Sequence, residues 1–192
     1  MTGSQLSMRC GQLPFRQSCV GRTQPTRQLG AQTMPRPYPY WPAFDGKKAS
    51  PVLTWFVKAC NRRWGFTNLG IYVNRPVRNP YAKGALSTHA TGWACDIGYP
   101  STKAGRKTAV EAWEWLLEHS EALRIVEIHD YRFGQFGRGF RCSRGEGVKG
   151  VKIYQNAKES AGTGGNWLHV EIDHSWESAK EFEAAWRALP KP

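Results

Sequence analysis

Two short stretches, WACDIG at Trp93–Gly98 and WLHVEI at Trp167–Ile172, alternate side chains with a period of two. Successive side chains of a strand point to opposite faces, so each stretch reads as a strand with two unlike faces. In the second, Leu168, Val170 and Ile172 form a core face, while Trp167, His169 and Glu171 share the other. In the first, Trp93, Cys95 and Ile97 point one way and Ala94, Asp96 and Gly98 the other. That phase makes Cys95 a packing residue and separates it from Asp96. A third stretch, RIVEIHDY, turns Val126 and Ile128 inward and leaves Glu127 and His129 opposite.

Helical stripes lie between and around these strands. Ser50 followed by Pro51 supplies an N-cap and a first helical residue. Leu53, Phe56, Val57, Cys60 and Trp64 then recur at helical spacing until Gly65 ends the run. After Pro100 a second helix carries Ala109, Trp113, Leu116 and Leu117 on one face, and a third carries Ala179, Phe182, Trp186 and Leu189 up to Pro190. NLGIYVNRPV reads as a strand ended by Pro76, and VKIYQ as a short strand inside a glycine-rich, basic segment at 132–166. The expected class is α+β, a small mainly antiparallel sheet flanked by helices, over residues 45–192. Residues 1–44 hold five arginines, six glutamines and no acidic residue, without helical or strand period. They read as a basic, disordered or loosely draped tail.

Net charge is +12, which suits an anionic partner such as nucleic acid, a membrane surface or an acidic wall polymer. No helix-turn-helix pattern or paired CxxC supports specific nucleic-acid binding. No apolar run approaches the roughly 18 residues of a membrane span, and no secretory signal peptide is evident. The five cysteines (Cys10, Cys19, Cys60, Cys95 and Cys142) form no CxxC pair and read as reduced packing thiols.

Two histidines and one carboxylate suffice to hold a catalytic zinc with a water in the fourth position. His89 and Asp96 can meet if the chain folds back at Gly92, with His169 arriving from a neighbouring strand. From spacing alone, surface polar residues explain the same pattern. The run S-x-H-x-x-G-x-A-x-D, however, is matched by Ser87, His89, Gly92, Ala94 and Asp96 without a gap. It resembles the zinc peptidases that cut peptidoglycan stem peptides: D-Ala-D-Ala carboxypeptidases and dipeptidases and phage L-alanyl-D-glutamate endolysins. With lysostaphin-type enzymes and the zinc domain of hedgehog proteins these form the hedgehog/DD-peptidase superfamily. The family's late histidine, followed by a hydrophobic residue and Glu, resembles LHVE at Leu168–Glu171.

The resemblance implies that His89, Asp96 and His169 ligate zinc, with Ser87 supporting their geometry or capping a turn. It implies hydrolysis of stem-peptide bonds, peptidoglycan as partner, and anionic wall polymers as further contacts. For a phage endolysin it implies residence in the host cytoplasm before release to the wall. Arg75, or nearby Arg78, stands where several family members use an arginine for a substrate carboxylate. The usual catalytic carboxylate, three residues before the last ligand, is replaced by Asn166, and the position of an alternative histidine by Trp167. His129 is the leading substitute for the missing base, because it shares a face with Glu127 and titrates near neutrality. Glu171 is a second candidate. A non-catalytic zinc module that binds wall or a protein partner is the alternative reading.

Overall fold

In the computed structural model the described residues are 34–39, 48–77, 86–160 and 163–192. Ser50 Oγ accepts from Leu53 N, Pro51 opens the helix, and Gly65 closes it in the left-handed region. These caps delimit α1, Pro51–Trp64, as its sequence predicts. Thr102 caps α2, Lys103–Glu118, and Ser178 caps α3, Ala179–Ala188.

Six strands form one sheet: β1 Thr67–Gly70, β2 Ala94–Gly98, β3 Ile125–Asp130, β4 Arg138–Arg141, β5 Val151–Ile153 and β6 Trp167–Ile172. Their spatial order is β1-β2-β6-β3-β4-β5, and every neighbouring pair is antiparallel. The α+β class is therefore observed. Cys95, Ile97, Ile128, Phe140, Leu168, Val170 and Ile172 join Leu53, Phe56, Trp113, Leu116 and Phe182 in one buried core. Phe56, Phe182 and Trp186 meet edge-on or tilted, with ring centroids 5.8–6.4 Å apart. Such pairing adds about 0.5–1.5 kcal/mol per contact beyond area burial. Cys60, Cys95 and Cys142 are buried free thiols. Among the described residues no helix is long and apolar enough to cross a membrane.

Two strands depart from expectation. β1 stops at Gly70 instead of running to Pro76, and its register against β2 shifts between Asn68 and Gly70. β4, in RGFR, was not anticipated within the glycine-rich segment. It pairs Ile128 with Phe140 and Asp130 with Arg138.

Asp130 is fully buried and accepts both terminal nitrogens of Arg106, at 2.7 and 2.8 Å, plus Nε of Arg138 at 3.1 Å. Arg138 is in turn held between the rings of Trp113 and Phe133, each 4.3 Å from its guanidinium carbon. Removing the acid strands two cations, one of them largely buried. Asp130→Ala is expected to destabilise the domain by about 3–5 kcal/mol, measured as the change in unfolding free energy by denaturant titration.

The segment 34–39, assigned to the tail by its composition, is held against the domain at these positions. Arg36 donates to Glu146, to Ile125 O at 2.7 Å and to Ser120 O at 3.3 Å. The 44/45 boundary itself lies outside the described residues.

Candidate metal centre

One 3₁₀ turn, Thr88–Thr91, followed by Gly92 at φ 76°, brings His89 back toward β2. The left-handed backbone at Gly92 is the conformation that glycine adopts without steric cost. β2 then presents Asp96, and its register places Asp96 directly opposite His169 on β6. His169 in turn lies opposite His129 on β3, and His129 opposite Gly139 on β4. Two residues along, on the same face, Ala94, Glu171, Glu127 and Arg141 form a parallel row. The polar face of the sheet is thus two cross-strand rows, and the alternation in WACDIG and WLHVEI assigns their members correctly.

His89 Nε2 lies 3.3 Å from Asp96 Oδ2, and His169 Nδ1 lies 2.9 Å from Asp96 Oδ1. One ligand atom from each of the three residues falls within 4.8 Å of the other two. Zinc bonds of about 2.0–2.1 Å set tetrahedral ligand atoms roughly 3.3 Å apart, so the spacing and the donor set suit such an ion. His89 and His169 are buried, and Asp96 is partly open to the cleft.

Burial and hydrogen bonds set the charges of these groups. A carboxylate only accepts, so the His169 nitrogen that bonds Asp96 does so as a donor. Burial opposes charge on His169, but hydrogen bonds to Asp96 and Glu171 outweigh it and push its pKa up to about 10. Burial likewise works to raise the Asp96 carboxyl, yet the bonds from His169 and His89 hold it well below the usual carboxylate range. A cation bound here displaces the proton on Nδ1 of His169. Its Nε2 is bonded to Glu171 Oε1 at 3.1 Å, which leaves Nδ1 as the nitrogen turned toward Asp96. His89 lacks such support, since its Nδ1 is buried with no hydrogen-bond partner.

Beside the ligands runs a second chain of contacts. Arg141 donates to both oxygens of Glu127 at 2.9 Å, and Glu127 Oε1 accepts from His129 Nε2 at 3.0 Å. The other ring nitrogen of His129 meets the Tyr154 hydroxyl. That hydroxyl occupies the space above Gly139, where an added Cβ would lie 1.9 Å from it. Burial counts against ionising Glu127, but His129 and Arg141 prevail and keep its carboxyl low.

These groups open onto a cleft of about 470 Å³ whose lining includes Arg75, Ser87, Tyr131 and Trp167 besides the ligands, Glu127, His129 and Glu171. Arg75 is half-buried at the rim and donates to Pro76 O; Arg78 lies outside the described residues. Ser87 is buried and precedes the 3₁₀ turn, without a side-chain capping bond. Asn166 does not line the cleft; its carbonyl accepts from Tyr99 N. Glu171, a candidate base by sequence, is instead engaged through both oxygens, by His169 and by the Tyr38 hydroxyl. Tyr38, Arg141 and Tyr154 were missed from sequence. A cavity of about 540 Å³ between α1 and α3, lined by Trp55, Arg62, Arg63 and Trp186, has no carboxylate or histidine in its wall.

Comparison with models of known protein families, with curated proteins and with solved structures returned no match.

Proposed function

We propose that this chain is a zinc peptidase of the hedgehog/DD-peptidase type that hydrolyses peptide bonds of peptidoglycan stem peptides, as phage endolysins do. The observation that supports the reading is the meeting of His89, Asp96 and His169 at one point of an open cleft. These are the positions that the S-x-H-x-x-G-x-A-x-D run and the late LHVE block single out. Net charge of +12 favours approach to an anionic wall.

Zinc, when bound there, acidifies water to a pKa of about 7 and polarises a carbonyl. His89, Asp96 and His169 would hold the ion, with Glu171 bonded to the other nitrogen of the His169 ring. His129 would accept the proton of an attacking water at Nδ1, and return it to the leaving amine, once the Tyr154 hydroxyl turned away from that nitrogen. Its Nε2 is bonded to Glu127. Glu127, 3.0 Å away, orients the His129 ring and steadies the charge it gains. Arg75 presents a cation at the rim for a stem-peptide carboxylate, while Tyr131 and Trp167 give the cleft aromatic walls.

A second reading, a zinc module that binds wall without cutting it, is favoured by Asn166 standing in place of the family's carboxylate. Zinc content of the purified full chain and new amino termini released from peptidoglycan separate the two. The enzyme is expected to carry one zinc and release termini that a chelator abolishes. One zinc with no release at high protein concentration selects the binding module, and absence of bound zinc defeats both.

A further inference from the structure

Resting on the metal reading above, we propose that the segment 34–39 is part of the metal centre, with Tyr38 as a positioning residue for His169. The Tyr38 hydroxyl donates to Glu171 Oε2, while Glu171 Oε1 accepts from His169 Nε2 at 3.1 Å. Tyr38 therefore holds the carboxylate that holds the ligand. Its ring also lies 4.5 Å from the guanidinium carbon of Arg141, the residue that grips Glu127. One side chain thus touches, within a single cross-strand row, both the carboxylate that holds His169 and the arginine that holds Glu127.

The segment reaches this place because it is fastened independently of the cleft. Arg36 ion-pairs with Glu146 and donates to two backbone carbonyls, and Pro37 O accepts from Cys142 Sγ at 3.8 Å. Prolines at 35, 37 and 39 restrict the backbone around these contacts, which lowers the entropy lost in ordering it. Without the hydroxyl, one Glu171 oxygen loses its partner and the carboxylate gains freedom to turn. The Nε2 bond of His169 then no longer fixes the ring.

Outer partners of metal ligands contribute about 10–100-fold to affinity, and Tyr38 stands one bond further out. Tyr38→Phe in the full chain is expected to weaken zinc about tenfold in competition with a chromophoric chelator. The melting temperature of the metal-free protein should move by no more than a few degrees. In a Glu171→Ala background the same change should add no further loss, because the hydroxyl acts through that carboxylate. Arg36→Ala, which leaves every cleft side chain in place, should weaken zinc in the same direction. Zinc affinity of Tyr38→Phe within twofold of the unaltered chain overturns the assignment and leaves the segment a structural clip. Failure of the unaltered chain to bind zinc overturns the metal reading itself.

Discussion

Under the proposed function, His169→Ala is expected to remove zinc and stem-peptide cleavage together in a chain that still folds. It does so at a cost in stability, from the two carboxylates that lose a partner. A structural zinc site with four ligands contributes about 10–16 kcal/mol in apparent binding free energy, so one ligand accounts for roughly 3 kcal/mol. That corresponds to a loss of about a hundredfold or more in affinity. His169 also organises the centre: it alone of the two imidazoles is held by a second carboxylate, and it lies directly across from both Asp96 and His129. Its neighbours Leu168 and Val170 carry the core contacts of β6, so the truncation opens no cavity beneath the sheet. Zinc analysis of the dialysed variant, a count of amino termini released from peptidoglycan and a circular dichroism spectrum test all three parts. A folded variant that retains stoichiometric zinc would remove His169 from the ligand set.

His129→Ala should separate chemistry from metal binding. Loss of a general base typically lowers rate by about 10²- to 10⁴-fold, and His129 touches none of the three ligand atoms through a hydrogen bond. Turnover of a stem-peptide substrate should fall within that range while zinc content stays at one per chain. The same change leaves the Tyr154 hydroxyl without its ring partner and Glu127 held by Arg141 alone, a loss of about 1–3 kcal/mol in stability. Rates are therefore best compared well below the melting temperature of the variant. Unchanged turnover would reduce His129 to a strut between Glu127 and Tyr154.

Legibility in the sequence followed the physics of each element. α1 carried its own boundaries, since Ser50, Pro51 and Gly65 act locally whatever surrounds them. β6 and β2 were readable because one face is wholly apolar, and a period of two then fixes where the remaining side chains point. β4 was not, because RGFR has the composition of a loop. Its arginines are in the sheet for partners on β3, Asp130 and Glu127, and its glycine is there to admit the Tyr154 hydroxyl. Glu171 was visible as a cleft residue, but its engagement by Tyr38 was not. Nothing periodic marks which side chain of MPRPYP turns inward, since proline backbones run extended without a ladder to set a phase.

Arg36 and Tyr38 have a further consequence, in time. Their partners follow far along the chain: Glu146 comes 110 residues after Arg36 and Glu171 comes 133 after Tyr38. A ribosome adding about 5–20 residues per second makes Glu171 some seconds to half a minute after Tyr38. During that interval the hydroxyl has no carboxylate to bind and His169 does not yet exist. This cluster is therefore incomplete until the last strand has left the ribosome, and Arg36 and Tyr38 wait more than a hundred residues for their partners.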